Sequence, residues 1–347
     1  MPKGVSSGLP RNTALRSSKE EGTRKREEGH LAPLPSRFFS VPFSFFLLPS
    51  SLFLAAERLL IGGQAVIEGV MMRSPRWTST AVRRPTGEVV DATERVDSLL
   101  LRHRWLRLPV VRGAITLYEA LVIGVRALLF SAREALGEGE PQSPATVSLS
   151  VALGMGLAIG LFFVLPAVLI RFFDRYFNTV YTLNIGEGAI RIAVLIGYIA
   201  TIGRLKDIRR VFAYHGAEHK AVNAYEGGAP LRVNEVRRFS RFHPRCGTSF
   251  LLIVMIVAIV VFSFLGRPGL LVRIAERIVL IPVVAGISYE IIRAGARYRW
   301  LRPLVVPGMW LQRLTTREPE DQQLDVALHA LQEVLEREQP STIMSVR

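Results

Sequence analysis

The sequence predicts a mainly α polytopic membrane protein, with about four transmembrane helices and a small cytoplasmic β unit. Three observations lead there. Four apolar runs, at about 146–170, 184–203, 249–266 and 274–292, come close to the roughly 20 residues that a bilayer-spanning helix needs. The segments between them differ sharply in Lys and Arg. A stretch from 61 to 104 carries the alternation and turn residues of strands instead of a helical period.

Composition bounds the reading. The chain has 347 residues and a net charge of +15, from 44 Lys and Arg against 29 Asp and Glu. Such a basic balance raises nucleic acid as a partner, but a mean hydropathy of +0.28 argues against it. Excess arginine in an apolar chain is better explained by cytoplasmic loops that obey the positive-inside rule and face anionic lipid headgroups. The expected partners are therefore the lipid bilayer and its anionic headgroups, with no nucleic acid. A single cysteine, Cys246, excludes an intramolecular disulfide framework. It leaves two uses for that residue, a metal ligand or a small buried side chain.

Taken in order, residues 1–60 fit poorly with the rest. The first thirty are polar and charged, and Phe38 to Leu60 is apolar but interrupted by Pro42 and Pro49. Two readings stand: an extra hydrophobic anchor, or an extension upstream of the natural start. A signal peptide is disfavoured because the apolar run begins too late. From Ile61 the character changes. Gln64–Arg73 and Ser79–Arg84 read as strands, with Pro85–Glu88 turning into Val89–Glu94. Gly62-Gly63-Gln64 invites comparison with the peptide release factor tripeptide, but three residues are weak evidence and a glycine-permitted turn opening a strand is the preferred reading.

Residues 105–136 read as one long apolar helix with a polar seam, since Arg112, Glu119, Arg126 and Arg133 recur at intervals of seven. Charge through the middle of a span is costly in lipid. The expectation is a helix along the membrane interface or packed on its neighbours, with arginine heads reaching phosphates; a buried soluble-type helix is the alternative. Residues 137–144 form a linker. The four spans then follow as 146–203 and 249–292, on either side of a loop at 204–248. That loop holds ten Lys and Arg, whereas 172–183 holds only Arg175. By the positive-inside rule the loop is cytoplasmic, and an even number of spans puts both termini there too, in a multi-pass cell-membrane protein. Beyond 293, Leu324, Leu328, Leu331 and Leu335 form one stripe on an acidic helix. It is expected to pack on the cytoplasmic domain, with a partner or homo-oligomer surface as the alternative.

The cytoplasmic loop carries the chemistry. His215-Gly-Ala-Glu218-His219 places two imidazoles four residues apart, on one face of a helix, where both can reach one ion. This H-x-x-E-H order is the inverted zinc-hydrolase signature, whose carboxylate serves as general base. His243-Pro-Arg-Cys246 adds two ligand types downstream. Glu290, at the cytoplasmic end of the fourth span, is a further candidate because ionisable groups at that depth default to function; a salt bridge to a nearby arginine is the plain alternative. Four protein ligands would close the sphere and favour structural zinc, whereas three leave a position open for catalysis. Glu226 shares the histidine stripe but lies about 10 Å along the axis from His219, too far for easy joint ligation.

Long blocks carry a resemblance. Gly62–Met72, Tyr214–Lys220, Phe242–Phe250, Pro282–Glu290 and Pro307–Arg317 are similar to the YqhQ-like family, over about residues 61–338. It is a group of bacterial membrane proteins labelled as predicted metal-dependent enzymes of unknown function. The resemblance implies a divalent metal, zinc by the ligand types present. Residues 1–60 depart from the family's pattern, which favours the upstream-extension reading. The functional expectation is a metal-dependent hydrolase of a membrane-associated substrate. In it His215 and His219 are ligands, the third comes from His243, Cys246 or Glu290, and Glu218 is the base. The competing class is a membrane scaffold or transport accessory with a structural metal site.

Overall fold

The computed structural model describes residues 59–136, 144–266, 268–298, 303 and 306–338. The extension before Leu59 lies outside them. The β unit is a four-strand antiparallel meander in the order β1 (Gly62–Val66), β2 (Gly69–Arg73), β3 (Trp77–Arg83), β4 (Val89–Arg95). Here the structure corrects the sequence reading, because Gln64–Arg73 is not one strand but a tight hairpin. Ala65 pairs with Val70 and Val66 with Gly69 across Ile67-Glu68. Nothing in that dipeptide advertises a turn, since Glu68 takes a left-handed φ of 50° that favours Gly or Asn. A distant partner compensates: Arg210 donates to the Glu68 carboxylate through Nε at 2.6 Å and Nη2 at 2.5 Å.

Both faces of the sheet are covered. Val70, Met72 and Ala81 pack on Tyr214, Ala217 and Ala221 of α6 (Lys206–Gly227) and on Leu324, Leu328 and Leu331 of α12 (Asp321–Glu338). On the opposite face Val66, Met71 and Val82 meet Ala127 of α2 (Val111–Leu136). A strand buried on both sides cannot alternate, which is why β2 reads as a continuous apolar run. The leucine stripe of α12 is thus spent within the chain.

Helix α2 follows a short helix α1 (Leu99–Arg102) and a 3-10 turn at Arg104–Arg107. The expected continuous helix from 105 is broken at Pro109-Val110, where Val110 has a φ of 68°. The polar seam is used by protein neighbours. Arg112 Nε donates to Glu290 Oε1 at 2.6 Å; Glu119, buried, accepts from Leu99 N at 2.7 Å and Ser98 Oγ at 2.9 Å.

Among the described residues, three helical stretches are long and apolar enough to cross a membrane: Val111–Leu136, Ser148–Phe172 and Val180–Ile202. The second combines α3 (Pro144–Ile159), a π-helical turn (Gly160–Val164) and α4 (Leu165–Phe172); the third is α5. The apolar helix α8 (Gly247–Ser263) is shorter. The run expected as a fourth span is divided at Leu280 into α9 (Leu270–Val279) and α10 (Ile281–Arg297), ahead of Pro282. A four-residue α7 (Val233–Val236) lies in the basic loop, and α11 (Val306–Thr315) precedes α12.

The charges inside the apolar bundle meet one another. Glu187 and Arg191 of α5 and Arg277 of α9 are all at most 2% exposed. Glu187 accepts from Arg191 Nη2 at 2.7 Å and from Arg277 Nε and Nη2 at 3.2 Å each. Pro166 has no N–H for the Phe162 carbonyl four residues earlier, and Arg191 Nε donates to that carbonyl at 2.8 Å.

Candidate metal centre

His215, Glu218 and His219 stand mid-way along α6, a helix whose Gly228 cap, with φ of 73°, ends it. The following loop folds back along the same helix because α6 side chains bind its carbonyls. Lys220 Nζ donates to Arg237 O at 2.7 Å, and Asn223 Nδ2 donates to Ser240 O at 2.8 Å and Phe242 O at 3.1 Å. This return brings Cys246, the N-cap of α8, against the histidines.

The imidazoles are held in one tautomer. His215 Nδ1 lies 2.9 Å from Thr315 O, and His219 Nδ1 lies 2.6 Å from Arg241 O. A carbonyl only accepts, so each Nδ1 carries a proton, and in the neutral ring each Nε2 is left with its lone pair. His215 Nε2 is 3.1 Å from Cys246 Sγ. His219 Nε2 is 3.5 Å from Glu218 Oε2. Donor atoms of His215, His219 and Cys246 all lie within 4.8 Å of one another. Fixing a ligand's tautomer through a backbone carbonyl is the usual support of metal-binding histidines.

The donor set fits a borderline-soft ion. Bonds of about 2.0–2.3 Å to zinc imply donor separations of roughly 3.5 Å; the His215–Cys246 pair already lies within that span, and the rest of the set needs a small closing shift. Between His219 Nε2 and Glu218 Oε2, two lone-pair atoms face each other, which requires a proton on one or a cation between them. Burial pushes the Glu218 carboxyl up to about 7, partly opposed by His215. Its wall is the sheet edge. A Cβ on Gly63 would stand 2.6 Å from Glu218 Cγ and 2.8 Å from the Met71 carbonyl, so the Gly-Gly-Gln strand reaches Glu218 only without a side chain.

Two sequence candidates are placed elsewhere. His243 is a neighbour, its ring 5.8 Å from that of His219, but its Nε2 is directed at Glu226 Oε2, 3.5 Å away. Gln312 fixes this pose by bonding both the His243 N–H, at 2.9 Å, and its carbonyl, at 2.7 Å. Burial, opposed in part by Glu226, pushes the His243 imidazole down to about 4. Glu226 also pairs with Arg245. Glu290 is engaged by Arg112 and does not join the histidines. The residues missed by sequence reasoning are the orienting ones, Thr315 and Arg241, and they act through main-chain carbonyls that no side-chain pattern marks.

Comparison with known proteins agrees with the long blocks. A family described as "Protein of unknown function (DUF1385)" matches residues 108–337. The chain is 35% identical over 303 residues to "Uncharacterized protein YqhQ" of Bacillus subtilis (strain 168), covering 80% of this chain and 92% of that protein. No solved structure matches. The chain belongs to the DUF1385 family, with YqhQ of Bacillus subtilis among its relatives.

Proposed function

We propose that the protein is a multi-pass membrane, zinc-type hydrolase with the centre on α6. The observation that carries this is the convergence of two carbonyl-oriented histidines and Cys246 on one point, beside a buried carboxylate. A divalent ion held there by His215, His219 and Cys246 would polarise water and a scissile carbonyl or phosphoryl oxygen. Three protein ligands leave one position for reactants. Glu218, 3.5 Å from His219 Nε2, would serve as the base that accepts a proton from water and returns it to the leaving group. His243 and Glu290 stay outside the ligand set in this reading. A membrane-associated substrate suits this reading, because Cys246 is the N-cap of the apolar helix α8 and so joins the centre to the apolar part of the chain. Cytoplasmic placement rests on loop charge: the basic 204–248 segment surrounds the site.

A second reading, a scaffold or transport accessory with structural zinc, draws on burial, since His219, Glu218 and Cys246 are at most 6% exposed. Glu218→Gln separates the two. It retains volume and removes the proton acceptor, so the hydrolase reading expects normal zinc content with a phenotype matching gene deletion. His215→Ala and Cys246→Ser should lose zinc. A silent Glu218→Gln beside damaging ligand variants would leave only the scaffold.

A further inference from the structure

Strand β1 is an open edge of the sheet. Among the described residues it pairs with β2 alone, in unbroken register from Gly62 opposite Arg73 to Val66 opposite Gly69. Which of its main-chain groups are left over follows from the next strand along. Arg83 N donates to Glu68 O at 2.9 Å, so Glu68, Val70 and Met72 turn their main-chain groups to β3, and Gly69, Met71 and Arg73 turn theirs to β1. Their partners Val66, Gln64 and Gly62 face β2 in return. Gly63 and Ala65 therefore direct N–H and C=O outward, and among the described residues neither finds a hydrogen-bond partner there. The next outward N–H, that of Ile67, is taken by Ser131 Oγ of α2 at 3.2 Å.

An edge of this kind is a template for another strand, and folds normally blunt it with Lys, Pro or a bulge. The β1 sequence, Gly-Gly-Gln-Ala-Val, has none of these. Gly62 and Gly63 are exposed. At Gly62 the φ is not left-handed, and a Cβ would meet nothing within 4 Å. Neither the backbone nor the packing within the chain asks for glycine at that position, and a strand glycine of this sort marks a place that another backbone approaches closely. Its neighbour Gly63 lies against the Glu218 side chain. The outward groups of β1 thus begin beside the buried carboxylate of the α6 centre.

We propose, resting on the hydrolase reading above, that the substrate is an extended peptide segment and that β1 binds it as an added strand. Gly63 and Ala65 present a donor and an acceptor each, at the two-residue spacing of a facing strand. A peptide backbone matches that pattern, and a lipid acyl chain or a sugar ring does not. Leu60 and Ile67, exposed at the two ends of the strand, favour apolar side chains in the occupant. Pairing along β1 lays one amide of the segment beside Glu218. Hydrolysis of that amide breaks its C–N bond, the carbonyl carbon takes the oxygen of water, and the amine leaves with the proton that Glu218 has carried.

Anisotropy of a fluorescein-labelled heptapeptide of alternating threonine and valine, titrated with the full chain in detergent, tests this, together with hydrogen exchange read over β1. Chelator-treated protein is used first, so that docking is measured apart from hydrolysis. The expected result is saturable binding with slowed exchange in β1, both lost when every backbone nitrogen of the peptide is methylated. Ala65→Pro removes one outward N–H and no ladder bond, at a position where an edge strand tolerates proline. It should weaken binding about tenfold and leave the unfolding midpoint near wild type. With zinc restored the bound peptide should be cleaved, and Glu218→Gln should abolish cleavage but not binding. Binding with protection of β1 but no cleavage would support the docked strand and sink the hydrolase reading. No binding, unchanged exchange in β1, or equal binding of the methylated peptide would overturn the proposal, whether or not the chain takes zinc.

Discussion

Gly63 and Glu218 occupy one another's space, and that makes a single residue of the sheet edge answerable for the geometry of the centre. Placing a methyl group at 63 drives it into both the Glu218 side chain and a β2 carbonyl, and the carbonyl cannot give way without disturbing the ladder. Gly63→Ala is expected to lower stability by about 1–3 kcal/mol, the range for forced overpacking, read as a fall in the thermal unfolding midpoint in detergent. The opposite outcome, an unchanged midpoint, would mean that β1 does not press on Glu218. At the far end of α12, Glu338 is almost fully buried and accepts from Ser74 Oγ at 2.6 Å and Arg76 Nε at 2.9 Å. Burial raises its carboxyl, but the bonds from Ser74 and Arg76 outweigh that and hold it below the usual carboxylate range. A depressed folded pKa means that the stabilisation is complete above the unfolded value of about 4.3 and disappears as pH falls through the folded value. Unfolding midpoints measured from pH 7 downward should therefore drop more steeply below about pH 4.3 in wild type than in Glu338→Gln. Parallel curves would contradict the pairing.

Among elements, α5 and α9 are joined by charge where the neighbouring helices use apolar contacts. Glu187 bonds both Arg191 and Arg277, so removing its charge leaves two guanidinium groups facing each other away from water. Breaking a buried pair in this way costs about 3–5 kcal/mol, and Glu187→Gln should sharply reduce accumulation and thermal stability. Near-normal stability would show that the cluster is wetter than its burial implies. Where α2 crosses α10, Gly113 comes so close to Gly286 that a Cβ would stand 2.8 Å from its Cα, the small-residue contact typical of apolar helix pairs. Much of this was legible. The i, i+4 histidines require a helix, and α6 supplies it; the leucine stripe of α12 requires an apolar surface, and the sheet supplies one. The illegible parts share a cause, which is that remote partners decide local form. The turn at Glu68 depends on Arg210, and the direction of His243 depends on Gln312 and Glu226. The helix beginning at Val111 depends on a left-handed valine, which spacing alone does not announce.

At the scale of the whole molecule, Arg317 N donates to Phe212 O at 2.8 Å, tying the end of the bundle to the helix that bears the histidines. Reporters placed after Arg317 and within the 204–248 loop must then agree, and the loop's charge predicts a cytoplasmic reading for both. Disagreement between them would contradict the packing, and a shared external reading would contradict the charge argument. The proposed chemistry of the α6 centre depends on whether this arrangement takes a metal. Metal content, with zinc-edge X-ray absorption, measured on the intact chain purified from metal-replete cells, tests it most directly. One zinc per chain with two nitrogens and one sulfur in its shell is the expected result, lost in His215→Ala, His219→Ala and Cys246→Ser but kept in Glu290→Gln. Protein that folds, purifies without bound metal and binds none on titration would contradict the central claim.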